Sequence, residues 1–503
     1  MLKGVELKGL RNKLLRSAAG FYEKLEKLLE GQTDRASRAI LAQSYYELGE
    51  LTEKIGIQPE ALAVHKKAVA IRRELTSGSE ADVDAKLDLG RSLIAAGLLA
   101  EANGDNPGAL SAYEEARNLV DSLADGPDAT DAARDLLASS HQRIGRLLWK
   151  TGQPAEAMES YRRALAIRQK LADDNPAVTE FRHGLVDMHN NIGVLQQNTG
   201  QPAEAMESCR RALAIQQKLA DDNPAVTVFR SDVADSHSNI GWVQSETGQL
   251  AEALESYRRA LAIWQKLADD NPAVTLFRSR LATSHFGIGW AQSQTGQPAE
   301  GLESLRRALA NYQKLADDDP ALTEFRNNLA DGLNATADLL IRLGKPSEAL
   351  GKSERAVALL ERLARDDPKA SRYRSRLAEG YLRFGQARAA QGDHAGAASD
   401  WKRAAALFQE IPTLDGDFTF LHGCCHAALA GLAGTDGAGI SAALAESEAD
   451  TAMALLKKAV GMGFPYAGNF RTEPTLDPLR SRADFQLLIM DLAFPANPFV
   501  VGR

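Results

Sequence analysis

The sequence predicts an all-α fold, a right-handed α-solenoid (superhelix) of about eight to nine helix pairs. Three observations predict it: a motif that recurs with a period of 48, apolar residues at helical spacing within each period, and glycines between the helices. Two helices of about 20 residues, each ~30 Å long, fill one period with short turns and without strands. One pair cannot bury both of its apolar faces, so neighbouring pairs are expected to stack.

The recurring motif is a glycine followed by Gln, Pro or Leu, Ala and Glu. Clear copies begin at Gly152, Gly200, Gly248 and Gly296, and degenerate copies in the same register begin at Gly56, Gly104, Gly344 and Gly392. Because glycine ends helices readily, each of these residues is expected to separate the first helix of a pair, helix A, from the second, helix B.

The helices of one period can be placed by their apolar residues and caps. Helix B carries Ala157, Tyr161 and Ala164 at helical spacing and is expected to end near Ala172. The following Asn175-Pro176 is expected to start the next helix A, with Asn capping its N-terminus and Pro in its first turn. That helix would run from about Pro176 to Thr199.

The same pattern sets the expected domains. Residues 1–32 are predicted to form an N-terminal capping helix, 33–411 the helical repeat array of period 48, and 412–503 a degenerate last repeat with C-terminal capping helices. The last B helix is expected around Ala452 to Val460, and a closing helix from Ala483 or Asp484 to Ala493.

Composition excludes several classes of protein. With 44% hydrophobic and 25% charged residues, the chain is not expected to be disordered. A net charge of -8 provides no large basic surface, so nucleic acid is not expected as a partner. Three cysteines in 503 residues exclude a disulfide scaffold and fit a cytoplasmic protein. The polar start, and the lack of a long apolar stretch, argue against export and against a membrane partner.

One small position recurs in every helix A. It reads Gly49, Gly97, Gly145, Gly193, Gly241, Gly289, Ala337 and Gly385. Together with Ala253, Tyr257 and Ala260 in helix B, this pattern resembles the tetratricopeptide repeat, TPR, in which small residues let two helices approach closely. The chain departs from that family in its period of 48, since the usual period is about 34, and in having His in four copies where Trp is usual.

The repeats and the segment Leu476 to Arg482 are similar to the long TPR arrays that follow the catalytic domain in some bacterial serine/threonine kinases. No Gly-rich nucleotide loop, His-Arg-Asp or Asp-Phe-Gly motif is present, so kinase activity is not expected and the chain is predicted not to be an enzyme. Whether Met1 is a native start or the chain is part of a larger kinase stays open.

Two histidine patterns contain residue types that bind metals. His141, His189, His237 and His285 recur at period 48, too far apart to share a metal, and are interpreted as packing residues. His422, Cys424, Cys425 and His426 are close in sequence, but a closed zinc site needs four ligands, and a short buried helix is the preferred interpretation. A metal-dependent hydrolase in this region is the alternative; no metal and no cofactor are predicted.

The repeats differ most along the stripe of helix A beside the buried one, which the resemblance places in the concave groove. Aromatic rings beside amides suit an extended peptide, because rings supply burial and amides satisfy its backbone. The residues predicted to bind a peptide or protein partner are Trp149, Asn190, Trp242, Phe286, Trp290 and Asn334. Packing of Trp242 and Trp290 between the helices stays open, as do self-association and a regulatory or targeting role in a kinase system.

Overall fold

The computed structural model describes residues 34–493, except 56–57, 78–81, 126–128, 321, 369, 412–413, 463 and 465–466, and a few isolated residues between 13 and 28. Contacts divide the chain into two compact units, unit 1 (Met1–Gln196) and unit 2 (Gln197–Arg503). The predicted capping helix at residues 1–32 lies outside the continuously described part.

Unit 1 consists of helices in all of its described elements. In chain order they are α1 (Arg35–Ile55), α2 (Gln58–Thr76), α3 (Val83–Ala102), α4 (Asn106–Ala124), α5 (Asp131–Lys150), α6 (Pro154–Asp174) and α7 (Thr179–Asn198), whose last turn crosses the boundary. Each helix from α1 to α5 packs against the next, and α3 also contacts α5. Helix A of one pair therefore contacts helix A of the following pair.

Unit 2 repeats the same arrangement over a longer stretch. Its helices are α8 (Pro202–Asp222), α9 (Thr227–Glu246), α10 (Leu250–Asp270), α11 (Thr275–Gln294), α12 (Pro298–Asp318), α13 (Thr323–Arg342), α14 (Pro346–Asp366), α15 (Ser371–Ala390), α16 (His394–Gln409), α17 (Gly416–Ala430), α18 (Ala442–Gly461), α19 (Ala467–Thr472) and α20 (Ala483–Ala493), with a 3-10 helix, η1 (Pro474–Leu479). Sequential packing of these helices confirms the predicted all-α solenoid.

Helices A form one side of unit 2. The A helices α9, α11, α13 and α15 each contact the next A helix along the chain, the last of which is α17, in addition to their B helices. In the described part of the unit, successive helices B contact one another less than successive helices A do. We call the side formed by these A helices the inner face of unit 2.

Glycines act at two places in a typical pair of the described part of the chain. Gly152 has φ +83°, a left-handed conformation that ends α5 and turns the chain into α6. Gly241, in the middle of α9, lies against the ring of Tyr257 in α10, where an added Cβ would come within 2.9 Å of the ring. The small position therefore makes room for a large side chain of helix B.

The turn between helix B and the next helix A differs from the prediction. Asn175 follows the C-terminus of α6, where its backbone N–H and its Nδ2 both donate to the carbonyl oxygen of Leu171, each at 3.1 Å. Pro176 lies in the turn, and α7 begins only at Thr179. The expectation that Asn175 caps the next helix and that Pro176 starts it is wrong, because the amide satisfies the preceding carbonyl instead.

The buried core of unit 2 is continuous over most of its length. One cluster extends from Ala282 through Tyr312, Leu360 and Phe408 to Leu488. Helices α18 and α20 close it, and Phe485 is fully buried. Within the described residues, no helix is both long and apolar enough to cross a membrane.

Candidate functional site

A cavity of about 460 Å³ opens on the inner face of unit 2. Its walls come from three successive A helices, α11, α13 and α15, and its floor from Leu305 and Tyr312 of α12. The side chains that line it differ between the three repeats. A concave site lined by both apolar and polar side chains is typical of ligand-binding sites.

Helix α11 supplies the aromatic wall. Phe286 and Trp290 are four residues apart and thus on one face of the helix; both are half-buried and line the cavity. Behind them, Thr283 Oγ1 lies 3.0 Å from the hydroxyl of Tyr312. Burial raises the pKa of Tyr312 to about 12, so this phenol stays neutral.

Helix α13 supplies an amide that lacks a partner. Asn334 is only 5% exposed and lines the cavity, and its Oδ1 has no hydrogen-bond partner within the described part of the chain. A buried amide oxygen without a donor costs free energy, roughly 1–3 kcal/mol. An incoming N–H group would recover that cost.

Next to the amide lies a carboxyl with an unusual proton affinity. Burial raises the pKa of Asp331 to about 6, and the positive charge of Arg376 only partly opposes this effect. The nearest contact between the two side chains, Asp331 Oδ1 to Arg376 Nε, is 3.9 Å. One hydrogen bond, from Asn327 Nδ2 at 3.2 Å, supports the same carboxyl.

The three arginines of the cavity are already engaged. Arg376 donates to Glu379 at 2.9 Å, and Arg342 lies 3.1 Å from Asp338 and 3.3 Å from the hydroxyl of Ser293. Ion pairs of this kind fix the side chains that make them and reduce their attraction for other anions.

Arg383 is held from outside the repeats. It donates to Glu473, in the segment just before η1, at 3.1 Å, and Gln386 donates to the same carboxylate at 2.9 Å. Burial raises the pKa of Glu473, but the charge of Arg383 and the hydrogen bonds from Thr475 hold it below its usual value. The C-terminal segment therefore fixes Arg383, a residue of the cavity lining, in an ionised pair.

The structure gathers some of the predicted binding residues and not others. Phe286, Trp290 and Asn334 line the cavity together. Trp242 is 41% exposed on α9 but does not belong to the described lining. Trp149 and Asn190 are half-buried in unit 1, where Trp149 packs against the apolar cluster that contains Tyr161.

Sequence reasoning missed the charged lining. Asp331 and Glu379 occupy the repeat position of Thr283, and Arg383 occupies that of Gly287 and Ala335. These positions also vary between successive repeats, and that variation could have indicated them. They lie on the stripe of helix A next to the one that contains Phe286, Trp290 and Asn334. Only the contact between three A helices shows that the two stripes border one cavity.

The histidines at period 48 are packing residues where the structure describes their surroundings. His141 is buried, and burial together with Arg117 and Arg163 lowers its pKa to about 4. Burial likewise lowers the pKa of His237 and His285. Neutral imidazoles at these places fit the interior of a helix pair.

The C-terminal His and Cys cluster lies in α17. Cys424 and Cys425 are fully buried and unpaired, and burial raises the pKa of both thiols. His426 bonds to Glu448 through Nδ1, and its Nε2 lies 3.2 Å from Nε2 of His422. Among the described residues, no three His, Cys, Asp or Glu side chains converge so as to hold a metal ion.

Comparison with known sequences identifies the repeats. Models of the tetratricopeptide repeat match residues 36–74, 138–171 and 185–266. These segments fall on α1–α2, on α5–α6 and on α7–α10. Among curated proteins, none has a significant sequence match to the chain.

Solved structures with a similar fold include the apo form of RapI, 13% identical with a TM-score of 0.55, covering 84% of this chain and 99% of RapI. A Rap protein complexed with competence and sporulation factor is 12% identical with a TM-score of 0.42, covering 85% and 99%. BtubC (BKLC) from P. vanneervenii is 20% identical with a TM-score of 0.41, covering 51% and 92%.

At these identities the likeness to RapI shows the fold alone. That fold agrees with the sequence matches, with the pairwise packing of the helices and with the positions of the glycines. Three segments of the chain are thus similar to the tetratricopeptide repeat, and the period of 48 in the sequence is longer than that of the usual form.

Proposed function

We propose that this protein is a non-enzymatic, cytoplasmic interaction scaffold that binds an extended peptide segment of a partner protein on the inner face of unit 2. The single observation that supports this proposal most is the convergence of Phe286, Trp290 and Asn334 on one cavity. Rings supply apolar area to bury, and the amide offers an acceptor to a peptide N–H.

Preformed packing favours binding by this face. Trp290 and Phe286 lie on a helix that is fixed by α10 and α12, so most of the ordering cost falls on the partner. The three cysteines are buried and unpaired, which fits a reducing compartment. Neither nucleic acid nor a membrane is proposed as partner.

The test uses a random heptapeptide library displayed on phage and selected against the full chain. Enriched peptides are synthesised, and their affinity is measured by fluorescence anisotropy for the native protein and for the double variant Phe286→Ala, Trp290→Ala. We expect a loss of at least about tenfold, because truncation of a buried aromatic anchor typically costs about 2 kcal/mol.

Leu276→Ala is the matched control, since Leu276 lies on the same helix and is exposed away from the cavity lining. It should leave affinity unchanged. Failure to enrich any peptide, or equal binding by the double variant with an unchanged circular dichroism spectrum, would refute the proposal.

Trp242→Ala tests how far the binding surface extends. We propose that the exposed indole of Trp242 contacts longer ligands, so its loss should weaken long peptides more than short ones. Trp149 and Asn190 remain proposed contacts of unit 1. Self-association and a regulatory or targeting role in a bacterial serine/threonine kinase system stay predictions from the sequence.

A further inference from the structure

The polar groups that lack partners in the cavity are hydrogen-bond acceptors. Asn334 Oδ1 is buried without a donor within the described part of the chain. Asp331 receives one hydrogen bond, from Asn327, and its nearest arginine is 3.9 Å away. Both side chains line the same cavity. A ligand that supplies several N–H donors would satisfy them together.

The cationic groups, in contrast, are already paired. Arg342 with Asp338, Arg376 with Glu379, and Arg383 with Glu473 form ion pairs of 2.9 to 3.1 Å. An anionic ligand would have to displace one of these carboxylates. Asp331 makes the longest of the ion pairs, 3.9 Å to Arg376, which Glu379 holds more closely. With Glu473 included, the three arginines face four carboxylates, an excess of one negative charge when all are ionised.

The aromatic wall also favours a positively charged ligand group. Phe286 and Trp290 border the cavity across from α13, and the faces of aromatic rings attract cations. A planar guanidinium can stack on an indole while its edge donates to oxygen atoms. A volume of about 460 Å³ accommodates one long side chain with part of its backbone.

We infer that the cavity receives a basic side chain of the bound peptide, arginine or lysine, which donates to Asn334 Oδ1 and Asp331 and lies against Phe286 and Trp290. This inference rests on the proposed function, because it names the residue class that the same site selects. Arginine fits better than lysine, since its planar group can donate to two acceptors at once.

The test starts from the heptapeptides selected on the native chain. Their sequences should show Arg or Lys at one position, and the leading peptide is then made with citrulline, which keeps the shape of arginine without its charge, or with lysine at that position. For the native chain we expect citrulline to lower affinity at least about tenfold. Lysine should bind with an intermediate affinity.

The second part of the test compares the binding of both peptides to the variant Asp331→Asn. If Asp331 accepts from the basic group, this variant should weaken the arginine peptide at least about fivefold and leave the citrulline peptide nearly unchanged. Glu303→Gln is the matched control, because Glu303 is exposed on α12 and does not belong to the described cavity lining. It should bind both peptides as the native chain does.

The outcomes separate the two proposals. Peptides that need Phe286 and Trp290 but show no basic position, an acidic preference, or equal binding of citrulline would overturn the inference and leave the scaffold function standing. An equal loss on citrulline substitution in Asp331→Asn and in the native chain would also overturn it. Failure to select any peptide would overturn both.

Discussion

One position of the repeat changes its side chain from copy to copy, reading Asp235, Thr283, Asp331 and Glu379 in four successive repeats. Arg280 lies 3.4 Å from Asp235, and Arg376 makes the equivalent but longer pair with Asp331. In the copy between them, Thr283 bonds to Tyr312 instead. The copy with Thr283 therefore places a pair of hydroxyl groups, and not an ion pair, at this border of the cavity.

The raised pKa of Asp331 predicts a pH-dependent cost in stability. In the folded chain the carboxyl loses its proton near pH 6, whereas in the unfolded chain it does so near 3.8. The folded form therefore binds more protons between these values, and the native protein loses stability as pH rises from about 4 to 6. The cost is then constant above about pH 6.

Asp331→Asn should remove this cost. At pH 8 the variant is expected to be more stable than the native chain by as much as about 3 kcal/mol, because the pKa differs by about two between the folded and unfolded chains, and the gain should vanish near pH 4. Thermal unfolding at both pH values measures it. Asp174→Asn, at an exposed helix end, should show no such difference. A gain of the same size at pH 4 would contradict the assignment.

Pairs of helices depend on close approach at the small position of helix A. The ring of Tyr257 lies between Gly241 of its own pair and Gly287 of the next A helix, with added Cβ atoms 2.9 and 3.0 Å away. In the copy that has Ala337, the corresponding residue of helix B is Ser353 rather than an aromatic. In that copy a larger residue of helix A thus accompanies a small residue of helix B.

Gly241→Ala should destabilise the chain by about 1–3 kcal/mol, because the added methyl group overlaps the Tyr257 ring and a packed core cannot readily shift. Gly351→Ala is the matched control: it lies inside α14 with nothing within 4 Å of its would-be Cβ. This substitution should stabilise by up to about 1 kcal/mol, since alanine favours helices. Denaturant unfolding compares them, and equal effects would argue against the packing account.

At the scale of the whole molecule, helices contact mainly their neighbours in sequence. Stability in such chains is the sum of local and nearest-neighbour contributions, so a lesion at one end should act locally. The continuous core of unit 2 ends at Phe485, which is fully buried among the C-terminal helices.

Phe485→Ala should therefore loosen one end of the chain. Loss of a buried phenylalanine costs about 3–5 kcal/mol. Hydrogen exchange followed by mass spectrometry should show faster exchange in α17 to α20 and unchanged exchange in α1 to α4. Uniformly faster exchange along the chain would mean that it unfolds as a single cooperative unit instead.

The sequence by itself determined the helices, their pairing and the turn glycines, because a fixed repeat period and helical apolar spacing are local properties. It also selected Phe286, Trp290 and Asn334 by variation between copies. It misplaced Asn175 and missed Asp331, Arg376 and Arg383, whose partners lie up to 90 residues away. Tertiary structure decided these, since burial and charge pairing depend on which side chains meet across three stacked repeats.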